Sequence, residues 1–115
     1  MRKFVFIIKD KQPSVLTKDL YYRHIEHIKR NVLAGRLCLV GPLKGGEDQL
    51  LQVYQADSPE EAKRLMAGDP YIEAGLYTVV EEYELLELRA DNNWLMDTPR
   101  IQEMLRSLDQ ADGQT

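Results

Sequence analysis

Residues 50–77 read LLQVYQADSPEEAKRLMAGDPYIEAGLY, and this stretch decides the fold. It opens on Leu50 to Ala56, an apolar run of strand length. Ser58-Pro59-Glu60-Glu61 then combines an N-cap, a proline at the first helical position, acidic residues in the first turn and a capping-box Glu61. Ala62, Leu65 and Met66 give the following helix its inner face. Gly68-Asp69-Pro70 ends it: glycine tolerates left-handed geometry, and the residue before a proline is pushed out of helical space. A strand from about Tyr77 to Leu88 completes the unit.

The same order stands upstream. Phe4-Val5-Phe6-Ile7-Ile8 is a continuous apolar strand, and Lys9 to Ser14, with Pro13, is a loop. A helix runs from an N-cap at Thr17 to Ala34, where Gly35 supplies the left-handed stop. Leu37 to Val40 is a second strand ending at Gly41-Pro42, and Gly45-Gly46-Glu47-Asp48 turns the chain into Leu50, so these two strands pair as a hairpin. The order βαββαβ is the split βαβ plan of an α+β, ferredoxin-like fold. The strands are apolar on both faces: Phe4, Phe6 and Ile8 alternate with Val5 and Ile7, and Tyr77, Val79, Tyr83 and Leu85 with Val80 and Leu86. Two helices cover one face only. The other is expected to associate, sheet against sheet, in a homodimer.

A chain of 115 residues that is 43% hydrophobic is long enough for one domain, and one core is expected. Its formal net charge of −4 gives no electrostatic reason to expect nucleic acid or an anionic membrane as a partner. No run approaches membrane-spanning length, and Phe4 to Ile8 is too short for a signal-peptide core. A cytoplasmic protein is expected. The single cysteine, Cys38, lies in an apolar run and reads as a buried small hydrophobe without a disulfide partner.

At about 100° per residue, Tyr21, Ile25, Ile28 and Val32 form an apolar stripe on the first helix. His24 lies roughly 40° beyond its edge and His27 roughly 100° beyond, towards solvent. His24 is therefore the interior histidine. With the two helices antiparallel on one sheet face, the end of the second approaches the start of the first, so His24 and Asp69 fall at one end of the domain, near the Gly41-Pro42 loop. A carboxylate on one imidazole nitrogen fixes the tautomer and leaves the other nitrogen for a substrate proton, the arrangement of a general acid or base. The bland alternative is a structural histidine at the border of an apolar face. Glu26 and His27 beside His24 are not expected to make a metal site, because His27 points away and H-E-x-x-H is absent, and no cofactor motif is present.

The segment His24 to Lys29, then Ala34-Gly35-Arg36-Leu37, Gly41-Pro42-Leu43 and Asp69 to Tyr77, resembles the YCII-related family of small dimeric α/β proteins over about residues 2 to 88. The resemblance implies a dimeric α+β barrel with a site built on a His and Asp pair, at His24 and Asp69 here. Members often carry an arginine three residues before that histidine; this chain has Tyr21 there, with Arg23 on another side of the helix. Similar folds include muconolactone isomerase, and a dehydrochlorinase of a chlorinated hydroxyhydroquinone is counted among the relatives. The leading expectation is an isomerase or lyase without a cofactor, acting on a small ring compound, with His24 moving a proton, Asp69 orienting it, and Tyr71, Tyr77, Gly41 and Pro42 binding substrate. The alternative is a non-catalytic dimeric module that binds a small molecule or a protein, with His24 and Asp69 as a buried polar pair.

Residues 89–115 form an extension to the domain at 1–88. Asp91-Asn92-Asn93 reads as a loop, Trp94, Leu95 and Met96 precede a helix start at Thr98-Pro99, and Ile101, Met104, Leu105 and Leu108 follow at helical spacing. This helix is expected to pack on its own domain or a partner subunit, with a lid or a contact for a higher oligomer as alternatives. Ala111 to Thr115 are expected to be disordered.

Overall fold

The computed structural model describes residues 2–45, 48–87 and 99–113. It divides into two compact units, residues 1–85 and 86–115. The first unit carries β1 (Arg2–Lys11), α1 (Lys18–Leu33), β2 (Leu37–Pro42), β3 (Leu50–Ala56), α2 (Pro59–Ala67), α3 (Pro70–Glu73) and β4 (Tyr77–Leu85), with a single 3-10 turn at Pro13–Val15. The four strands form one sheet in the order β2-β3-β1-β4 with every neighbouring pair antiparallel. This is the α+β, ferredoxin-like arrangement, with β1 central between β3 and β4.

The local signals act as read at both long helix starts. Thr17 accepts the Leu20 amide and Ser58 the Glu61 amide, each satisfying a donor that the first turn leaves open. The Glu61 carboxylate reaches back to the Asp57 amide. Gly35 sits at φ 72, beyond the end of α1, where a side chain would be strained.

Five readings need correction. Gly68 is not left-handed but lies at φ −74, because Asp69, held extended before Pro70, already takes the chain out of α2. The chain then re-enters a helix at α3, with Asp69 as its N-cap and Pro70 at the first position. The strand read as Phe4 to Ile8 extends from Arg2 to Lys11, since β4 pairs with it as far as Lys11. Cys38 is exposed: the β2–β3 register slips between Leu37 and Leu39, and the extra residue of that bulge breaks the alternation that would have turned Cys38 inward. The helix α4 (Pro99–Gly113) of the second unit carries residues 111–113, read as disordered, because nothing before Gly113 breaks a helix. Gly46, Glu47, Leu88, Thr98 and the segment with Asp91, Trp94 and Met96 lie outside the described residues, as do residues 114–115.

Alternation along β1 builds the core. Phe4, Phe6 and Ile8 are buried on the helix side, opposite Tyr54, Gln52 and Leu50 of β3. α2 lies against β3 and β1, with Ala62 and Met66 buried, and α1 lies against β2 and α3. The other face of the sheet presents Val5, Ile7 and Leu51 with the exposed Leu39, Val79, Tyr83 and Leu85, an apolar surface across all four strands. No helix among the described residues is long and apolar enough to cross a membrane.

Candidate active site

The inner face of α1 differs from the apolar stripe read in the sequence. Its buried residues are Leu20, His24, His27 and Asn31, at spacings of four, three and four, which is one face of a helix. Tyr21 and Val32 are about half exposed instead, and Ile25 and Ile28 are half-buried. The helix is thus turned by roughly 100° from the expected orientation. The reason is what lies beneath it. The floor under α1 carries the hydroxyl of Tyr54, the amide of Gln52 and the carboxylate of Asp69, so polar side chains above find partners there. His27, expected in solvent, is only 5% exposed.

Asp69 is 0% exposed and stands at the junction of α2 and α3. The Nδ1–H of His24 donates to both of its oxygens, at 2.8 Å and 2.9 Å. The Tyr71 backbone amide donates to Oδ1 at 2.9 Å, and the Gln52 side-chain amide to Oδ2 at 2.7 Å. Burial alone would push this carboxyl up. The His24 hydrogen bond and charge, with the Tyr71 and Gln52 donors, outweigh it and hold Asp69 below the usual carboxylate range. Asp69 is therefore ionised at neutral pH.

A carboxylate can only accept, so His24 carries its proton on Nδ1. Nε2 has no hydrogen-bond partner among the described residues, whereas every fully enclosed side-chain nitrogen or oxygen there has one; Nε2 therefore reaches accessible space. The His24 ring stacks on Tyr71 with centroids 3.7 Å apart and planes 4° from parallel. Tyr77 is buried behind Tyr71, its ring centroid 6.1 Å away. Burial pushes the Tyr71 hydroxyl up to about 12 and raises that of Tyr77, so both are neutral.

Gly41 and Pro42 follow Val40, the β2 partner of Gln52. They pair with Leu51 and Leu50 at the end of β2, and among the described residues neither is bonded to His24 or Asp69. Tyr21 is about half exposed; Arg23 pairs at the surface with Asp19 at 3.0 Å, one turn before it. No three His, Cys, Asp or Glu residues among those described are grouped to hold a metal ion.

Sequence reasoning missed His27, Asn31, Gln52 and Tyr54. A signal was available in β3: Gln52 falls on the same strand face as Leu50 and Tyr54, an inward position where a polar side chain demands a partner.

A YCII-related domain model matches residues 2–88. The chain belongs to the YCII-related family. A solved structure carries the same architecture. The 5-chloro-2-hydroxyhydroquinone dehydrochlorinase of Burkholderia phenoliruptrix AC1100, solved with 2,5-dihydroxybenzoquinone, superposes with a TM-score of 0.58 at 20% identity, over 72% of this chain and 92% of that one. The Agrobacterium tumefaciens protein Atu4242 aligns over 78% of this chain and 96% of its own, with 16% identity and a TM-score of 0.49. No curated protein matches the chain. At these identities the structural likeness concerns the fold, and the chemistry of this YCII-related protein must be argued from its own residues.

Proposed function

We propose that this YCII-related protein is an enzyme of the isomerase or lyase kind, which uses His24 as its acid–base group on a small ring compound. The observation that carries the reading is the asymmetry of the His24 ring: Nδ1 is bound to a buried, ionised Asp69, and Nε2 reaches accessible space. The bare Nε2 takes a proton from a C–H bond of the substrate, and the electron pair of that bond moves into a new double bond. In a lyase a leaving group such as chloride departs with its own pair; in an isomerase the same proton returns at another carbon. Asp69 balances the imidazolium that forms in either case. Tyr71, stacked on the ring, holds its plane, and Tyr71 with Tyr77 walls the substrate side. Gly41 and Pro42, following the β2 residue Val40 that pairs with Gln52, would border the substrate from the end of β2. The small-ring preference draws on the ligand of the structurally similar dehydrochlorinase.

The working form is proposed to be a homodimer. The apolar outer face of the sheet, with Leu39 at 57% and Tyr83 at 53% exposure, is the surface that pairing would cover.

Turnover of small ring lactones and halogenated phenols tests the reading. His24→Ala and Asp69→Asn are expected to lower the rate about 100-fold or more, the usual range for a lost general acid or base, while both proteins stay folded. Equal turnover in wild type and both variants removes the enzymatic reading.

A further inference from the structure

Behind the His24–Asp69 pair lies a second histidine that the proposed chemistry does not use. His27 is buried one turn along α1 and is joined to Asp69 by an unbroken line of buried groups. Asn31 Nδ2 donates to His27 Nδ1 at 3.3 Å and to the His27 carbonyl at 2.8 Å. His27 Nε2–H donates to the Tyr54 hydroxyl at 2.9 Å, which donates to Gln52 Oε1 at 2.9 Å. Gln52 Nε2 closes the line on Asp69 at 2.7 Å.

We propose that His27 is a positioning residue for the His24–Asp69 pair, acting through Tyr54 and Gln52 to hold the Gln52 amide with its NH2 on the carboxylate. This rests on the acid–base reading of that pair, and it follows from counting donors and acceptors. The side-chain amide of Asn31 is anchored as a donor by the His27 carbonyl, so it presents N–H to Nδ1, which must be bare. His27 therefore carries its one proton on Nε2. Tyr54 oxygen receives that proton's bond, so its own O–H is turned to Gln52. Gln52 must then face Tyr54 with its oxygen and Asp69 with its NH2.

Reversing the first step reverses all of them. With the proton of His27 on Nδ1, Tyr54 would donate to Nε2, the Gln52 amide would turn round, and two acceptors would meet across the 2.7 Å now bridged by a donor. Asp69 would lose one of its three donor groups. Each donor to the carboxylate favours its ionised form, so losing the Gln52 donor raises Asp69. An amide does not pass protons readily, so the line transmits orientation rather than charge. Burial lowers the pKa of His27, which agrees with a neutral ring.

Nitrogen and carboxyl NMR on the full chain tests this without any substrate. In wild type at neutral pH, His27 is expected protonated at Nε2 and bare at Nδ1, with a hydrogen-bonded Gln52 NH2 signal. The opposite tautomer, or a charged His27, overturns the proposal. In His27→Leu and Tyr54→Phe the Gln52 oxygen loses its anchor, which is expected to move the Gln52 NH2 signal towards its free position and raise the Asp69 midpoint. His27→Gln, which keeps an N–H close to the place of Nε2, restores both. An unchanged Gln52 signal in Tyr54→Phe overturns the proposal, and this variant keeps the ring volume should His27→Leu fail to fold. None of these signals depends on turnover: a protein inert towards every ring compound could show them all, and an active one could show none.

Discussion

Replacing Asp69 by asparagine changes one acceptor atom into a donor at a position that is fully enclosed, and the surrounding geometry sets the cost. Asparagine can keep its oxygen at the Oδ1 place, where it still accepts from the Tyr71 amide and from His24. Those two bonds lose the assistance of a full charge, roughly 0.5 to 1 kcal/mol each. Its new NH2 stands at the Oδ2 place, 2.7 Å from the Gln52 NH2, and leaves two buried donors facing each other. An unsatisfied buried donor costs about 1–3 kcal/mol. The expected destabilisation is about 3 kcal/mol, a large share of the roughly 5–15 kcal/mol that holds a domain folded. A second change offers a sharper control. In the double variant Asp69→Asn with Gln52→Glu, the carboxylate moves to β3, accepts from asparagine at 69 and still accepts from Tyr54, so about 1–2 kcal/mol should return. Gln52→Glu alone places two carboxylates in contact and should be worse than either. Urea unfolding at one fixed protein concentration measures all four proteins. A loss under about 1 kcal/mol for Asp69→Asn, or a double variant no better than Asp69→Asn alone, refutes this account of the network.

Three further outcomes are expected. Burial lowers the pKa of His27, so the unfolded chain takes up its proton near the ordinary value of about 6.5 while the folded one resists. Stability is full above that pH and falls as pH drops from there towards the folded value, and the slope vanishes in His27→Gln; Asp69, whose folded value is depressed, adds a loss at still lower pH that Asp69→Asn lacks. Leu39→Glu with Tyr83→Arg on the outer sheet face should halve the mass measured by light scattering while leaving the circular dichroism intact, and an unchanged mass would count against pairing through that face. Gly35→Ala meets no atom within 4 Å, so its cost is purely that of a side chain at φ 72, about 1–2 kcal/mol by thermal or urea unfolding.

The fold was legible because its punctuation is local. Thr17 and Ser58 cap their helices through side chains one turn away, and Gly35 stops α1 by its own backbone freedom. The bulge at Cys38 and the rotation of α1 were not legible, since both depend on partners distant in sequence. A strand alternates as expected until pairing inserts an extra residue, and no signal within Leu37-Cys38-Leu39-Val40 announces that. The apolar stripe of α1 pointed at the wrong face because apolar periodicity presumes an oily floor; here the floor carries Gln52, Tyr54 and Asp69. The same presumption hid His27. The helix α3 was hidden differently: Asp69-Pro70 repeats the start signal of Ser58-Pro59, and its weight as a stop for α2 obscured its second role.

The line of groups from Asn31 to His24 is closed at one end and open at the other. At Asn31 it terminates on the His27 carbonyl, and Gln52 interrupts it with an amide. Among the described residues, protons therefore enter and leave the pair at the Nε2 edge of His24 beside Tyr71. A molecule seated there blocks that edge as it binds. The pair would then keep whatever proton it held at the moment of capture, so the pH at which a ligand is mixed in, more than the pH at which the complex is later observed, would decide which form of the site is trapped.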